Sequence, residues 1–203
     1  AVLGGVTTIF EMPNTSPPTT NKEALEDKIS RMHNRAWCDF AFFVGGTPEA
    51  DVDWHKLECL PGCSGIKIFM GSSTGNLLVS QDESIEAILD KSQRRVAVHC
   101  EDEKRLIEQK NIAIEGAHAR FHPIWRDEET ALRATTRLLK IARKTGKKVH
   151  TLHITTKQEM ELLSSYKDVA TVEVLPQHLT LDDSAYEDIG NYAQMNPPIR
   201  AKH

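Results

Sequence analysis

The chain has 203 residues, 39% hydrophobic and 27% charged, with a formal net charge of -4. That apolar content excludes an intrinsically disordered chain, and a pI near 6.2 argues against a nucleic-acid partner. With a mean hydropathy of -0.42, no apolar run approaches the ~20 residues of a membrane helix, so no membrane partner is expected. Four cysteines are too few for a disulfide scaffold and suit a cytoplasmic protein. No signal peptide opens the chain. Ala1-Val2-Leu3-Gly4-Gly5, without a Met, reads as a helix-to-strand junction, so a truncated or processed chain is expected.

Strand and helix patterns alternate along the chain. The β-branched and aromatic run 6–10 predicts a first strand, stopped by Pro13. Thr20 is the expected cap of a helix with Leu25, Ile29 and Met32 on one face. Residues 40–44 predict a second strand, ended by Gly45-Gly46, and a short helix carries Trp54, Leu57 and Leu60. Residues 66–70 predict a third strand, and Asp82 is the expected cap of a helix with Ile85, Ile88 and Leu89 inward. After a fourth strand at 96–99 the pattern reads as a long loop through His118, His122 and Pro123. A helix with Ala131, Ala134, Leu138 and Ile141 on one face then ends at Gly146. A fifth strand at 149–154, a helix begun by Thr156 with Met160, Leu163 and Tyr166, and a sixth strand at 169–175 closed by Pro176 complete the series. Such alternation means parallel strands with helical crossovers. An open doubly wound sheet and a (β/α)8 barrel both fit; the absence of Gly-x-Gly-x-x-Gly after the first strand weakens dinucleotide binding.

The chemistry lies where apolar strands carry polar residues. Lys67 stands among Ile66, Ile68, Phe69 and Met70. It is either the water-facing residue of an edge strand or an active-site lysine whose pKa burial depresses. Alternation puts Ala97 and His99 on one face of the fourth strand, and Val149, Thr151 and His153 on the face of the fifth opposite to His150. A single such histidine is more often a satisfied core residue than a ligand. Two histidines and a lysine at the ends of successive parallel strands point instead to a site at the carboxyl ends, where neutral imidazoles ligate zinc-like metals. His33 and His55 read as solvated, and His118 and His122 as loop residues without support for a metal role. Cys59 and Cys63 lack a second pair for a zinc knuckle, and Cys38 and Cys100 read as small core residues. No Gly-x-Ser-x-Gly elbow marks a serine hydrolase, and Ser72-Ser73-Thr74-Gly75 is a weak anion-cradle signal.

Five segments in order then resemble the dihydroorotases of the amidohydrolase superfamily. Gly4-Gly5-Val6-Thr7-Thr8 leading to Met12-Pro13-Asn14-Thr15 is similar to that family's second barrel strand, and Gly65-Ile66-Lys67-Ile68-Phe69-Met70 to its fourth. Val98-His99-Cys100-Glu101-Asp102 and Leu152-His153-Ile154-Thr155-Thr156 resemble the fifth and sixth, and Pro176-Gln177-His178-Leu179 with Met195-Asn196-Pro197-Pro198-Ile199-Arg200 completes the order. The resemblance implies an α/β metal-dependent (β/α)8 TIM barrel, of which this chain carries strands two to seven as a single partial domain over 1–203.

The resemblance also implies a site. Lys67, carbamylated, would bridge two Zn2+ ions, with His99 and His153 holding one of them. Asn14 and the backbone at Asn196 would bind substrate, and a metal-bridging hydroxide would attack a cyclic amide. The implied reaction interconverts N-carbamoyl-L-aspartate and dihydroorotate in pyrimidine synthesis, in a homo-oligomer. No His-x-His, the family's first-strand metal motif, occurs in this sequence. The family's last-strand aspartate would fall beyond Pro198, and a full barrel needs about 250 residues. An internal segment of a longer polypeptide is therefore expected. Allantoinases and dihydropyrimidinases or hydantoinases are the enzymatic alternatives; a ligand-depleted assembly partner is the non-enzymatic one.

Overall fold

The computed structural model describes residues 1–203 apart from Ala50, Thr74, Asn76, Ala117 and His203. Six strands, β1 (Thr8–Glu11), β2 (Asp39–Gly45), β3 (Cys63–Phe69), β4 (Val96–His99), β5 (Val149–Thr151) and β6 (Ala170–Val172), form one sheet. Every pairing is parallel, and the spatial order is the chain order. A doubly wound sheet reverses its order at a switch point; this one never does. Right-handed crossovers in sequential order put every connecting helix on one face. The architecture is a half-barrel, with the helices outside and a concave inner face.

The helices are α1 (Lys22–Met32), α2 (Trp54–Glu58), α3 (Asp82–Lys91), α4 (Glu103–Glu108), α5 (Lys110–Gly116), α6 (His122–Trp125), α7 (Glu128–Thr145), α8 (Lys157–Ser164), α9 (Pro176–Thr180) and α10 (Ala185–Asp188). The main core lies between sheet and helices. Ile66 and Ile68 of β3 and Val96 and Val98 of β4 pack with Ile85, Ile88 and Leu89 of α3 and Leu138, Leu139 and Ala142 of α7. Each large side chain buried there contributes about 1.5–3 kcal/mol. α7 is the longest helix; Asp127 caps it by accepting from Thr130 N, and Gly146 ends it in the left-handed region at φ 67°. A smaller core joins Ala119, Ala185, Tyr186, Ala193 and Ile199 beside the sheet's carboxyl end.

Several local expectations are corrected. Asn21, not Thr20, caps α1, its side chain accepting from Ala24 N. Asp82 is the first residue of α3 rather than its cap; its carboxylate instead accepts from Arg137 of α7. Residues expected as a loop after β4 form α4, α5, a 3-10 turn at Ala119–Phe121 and α6. These pieces are too short to display a helical stripe. Met160 is exposed while Leu163 is buried. Cys100 is a core residue, but Cys38 is only partly buried. β5 and β6 are three residues each, shorter than expected. Pro176 opens α9 rather than closing the sixth strand, which ends at Val172.

Candidate metal centre

The inner face of the sheet carries the polar residues. In register, Lys67 lies beside Ala97, Ala97 beside His150, and Phe69 beside His99. β3 sits between β2 and β4, so the edge-strand reading of Lys67 is excluded: its side chain is 1% exposed. Lys67 Nζ donates to Ile68 O at 2.9 Å and lies 3.7 Å from the centre of the Phe69 ring. Burial holds its pKa well below the ordinary lysine value, despite the opposing influence of Cys100 and Glu173. The same burial pushes the Cys100 thiol up to about 12, so it is an inert neighbour rather than a thiolate ligand.

His99 and His153 face each other. His99 Nδ1 is 3.0 Å from His153 Nε2, and the ring centres are 4.8 Å apart. Strand alternation alone misplaces His153. Val149 packs on the helix side with Val96, and continued alternation would send His153 to that side as well. β5 instead ends at Thr151, and His153 adopts φ 39°. That left-handed backbone is uncommon for a residue with a Cβ; it turns the imidazole toward His99. His150 is therefore not opposed to the site. It faces inward too, its Nδ1 2.8 Å from Thr171 Oγ1 and its Nε2 3.7 Å from Glu173. Burial lowers the pKa of His99 and, more strongly, that of His153, where the nearby His99 and Lys67 act in the same direction. Both shifts favour the neutral ring, the form that ligates metals.

Residues without an assigned role complete the surroundings. His99 Nε2 is 2.7 Å from Glu101 Oε2, and Arg126 Nη1 donates to the same oxygen. Burial acts to raise the Glu101 carboxyl, but the His99 hydrogen bond and the charges of Arg126 and Arg200 hold it below the usual range. Arg126 also donates to Ser72 O, and its own carbonyl accepts from Arg200 Nη1. Glu101 stands in the segment Val98-His99-Cys100-Glu101-Asp102 singled out in the sequence, but nothing there marked its contact with His99. Arg126 carries no sequence signal, because its contact spans 25 positions.

The loop after β3 binds an anion, though one of the chain's own: Ser72 N and Oγ donate to Glu103 at 2.6 and 2.7 Å. Thr74 of that motif lies outside the described residues. A Cβ built on Gly75 would stand 3.3 Å from Asn14 Cβ, so Asn14 borders this loop. So does Asn196, whose Nδ2 lies 3.3 Å from Ser73 Oγ and whose Oδ1 is 3.0 Å from His122 Nε2. His122, which also contacts Met195 O at 2.9 Å, is thus a loop-tethering residue. Among the described residues no three His, Cys, Asp or Glu side chains gather as a metal cluster. The facing His99 Nδ1 and His153 Nε2 and the dry Lys67 beside them fit part of the donor set for one cation.

No family model matches the chain. It is 28% identical to the dihydroorotase of Methanosarcina mazei, over 100% of this chain and 47% of that protein. It is 31% identical to the L-hydantoinase of Paenarthrobacter aurescens, over 99% of this chain and 46% of the relative. The solved structure of an L-hydantoinase (dihydropyrimidinase) from Arthrobacter aurescens superimposes with a TM-score of 0.88 at 28% identity, covering 98% of this chain and 46% of that one. The chain thus spans about half the length of the relatives it matches.

Proposed function

We propose that the chain is a segment of a cyclic amidohydrolase, about half the length of the relatives it matches, and that it carries half of a zinc-dependent dihydroorotase site. The observation that carries this reading is the pair of imidazoles, His99 and His153, whose facing nitrogens lie 3.0 Å apart at the carboxyl ends of adjacent parallel strands beside a fully buried lysine. His99 Nδ1 and His153 Nε2 would hold one Zn2+. Lys67, kept neutral by its dry surroundings, would bond through nitrogen to the carbon of carbon dioxide and release a proton. The resulting carbamate supplies the anionic oxygens that an ammonium lacks. When bound, the metal pair provides Lewis acidity and an activated water.

The chain's own residues then shape the mouth. Asn14 and the backbone at Asn196, on either side of the loop after β3, would take the substrate's carboxylate and ring amide. Hydrolysis breaks the ring C–N bond of dihydroorotate, adds water across it and yields N-carbamoyl-L-aspartate; the reverse loses water. The remaining metal ligands would come from outside this segment.

Turnover by the full-length protein tests the reading. Hydrolysis of dihydroorotate in preference to hydantoins, dihydrouracil and allantoin is expected; activity confined to one of the others overturns it. The second reading is a hydantoinase, favoured by the superposition on the L-hydantoinase structure.

A further inference from the structure

We infer that Glu101, held by Arg126, is a positioning residue that sets which nitrogen of His99 carries its proton and so which one faces the cation. The inference rests on the reading of His99 as a metal ligand and adds residues to it. An ionised carboxylate only accepts hydrogen bonds. With Glu101 Oε2 2.7 Å from His99 Nε2, the proton belongs on Nε2, and the Nδ1 lone pair points at His153 Nε2. Arg126 Nη1 donates to that same Oε2, so the guanidinium fixes the carboxylate in both charge and place.

The arrangement is poorly built as a mere structural ion pair. Both contacts to Glu101 fall on one oxygen. Glu101 Oε1 and Arg126 Nε are buried with no hydrogen-bond partner, which costs free energy. The three residues are at most 2% exposed, so bulk water has little access to the imidazole. What the geometry secures is one ring orientation and one tautomer. Outer carboxylates commonly do this for metal-binding histidines. Arg126 also reaches Ser72 O, so the residue that holds Glu101 ties the ligand to the loop bordered by Asn14 and Asn196.

The first test needs no variant. In metal-depleted full-length protein labelled with 15N-histidine, long-range 1H–15N correlations report the protonated nitrogen of His99. A proton on Nε2 is expected, and one on Nδ1 overturns the inference. In the second test, Glu101→Gln is expected to weaken Zn2+ binding about 10–100-fold, read by competition with a chromogenic chelator, and to alter the visible spectrum of the Co2+-loaded protein. Arg126→Met is expected to act in the same direction, and the double variant to bind no more weakly than Glu101→Gln, because both work through one hydrogen bond. Wild-type affinity and an unchanged Co2+ spectrum in folded Glu101→Gln overturn the positioning role alone. A wild-type protein that binds no Zn2+ overturns the proposed function together with it.

Discussion

Ile68 and Lys67 are neighbours in β3, equally buried, and they face opposite ways. Ile68 enters the helix-side core with Ile88 and Leu138, where burial itself is favourable. Lys67 and His99 enter the concave face, each 1% exposed, where burial of a polar group is unfavourable unless a partner offsets it. One face therefore carries stability and the other gathers the candidate site, across the thickness of one sheet. The two properties are separable by mutation, and four predictions bear on that division.

The largest effect is expected on the concave face. Lys67→Met keeps the volume and removes the amine. If the proposed site is right, it should abolish Zn2+ binding by the full-length protein, measured by atomic emission, while Tm falls by less than about 4 °C. Retention of zinc would remove Lys67 from the site. Leu138→Ala is the converse. It should cost about 2–5 kcal/mol in urea unfolding and lower Tm by roughly 5–15 °C, with zinc content unchanged at room temperature. Loss of zinc from still-folded protein would show that the faces are not independent.

Gly71, just beyond β3, abuts the backbone of Glu101. A Cβ there would stand 2.5 Å from the Glu101 carbonyl oxygen, closer than backbone atoms tolerate. Gly71→Ala should cost about 1–3 kcal/mol and also weaken zinc binding, because Glu101 must move. A change in stability alone would separate Glu101's backbone from its side chain's task.

The smallest effect belongs to the α7 cap. Asp127 accepts from Thr130 N at 2.9 Å and from Arg105 Nε at 2.8 Å. Burial opposes ionisation of Asp127, but these bonds bring its pKa down to about 2. The folded-state value lies below the ordinary carboxylate value of about 3.9, so the stabilisation is fully present above it. It is lost as pH falls through the folded-state value. Asp127→Ala should cost about 1 kcal/mol at pH 6, with the gap from wild type closing between about pH 4 and pH 2 in urea titrations. A gap independent of pH would show that the carboxylate charge is not what caps the helix.

Much of the candidate site is legible residue by residue. Lys67, His99 and His153 stand out because each interrupts or ends an apolar strand run, and such interruptions need a reason. Glu101 was visible in the same run but had no local sign of its task. Its partner Arg126 lay in a stretch that read as loop, because α5 and α6 are too short to show periodicity. The face of His150 was misjudged for another reason. Two-residue alternation holds only while the strand lasts, and β5 ends before His153 turns over.

By itself the sequence determined the number of strands, their alternation with helices and the three polar residues at their ends. Those features are written in local periodicity and in the cost of burying charge. Periodicity alone left an open sheet and a barrel both standing; the resemblance implied the barrel, and the tertiary structure shows the sheet running in chain order as a half-barrel. Only it turned His153 onto His99 through a left-handed backbone, and only it brought Arg126 to Glu101. Each of these depends on contacts between residues distant in the chain, whose geometry is set by packing against neighbours that no local pattern identifies.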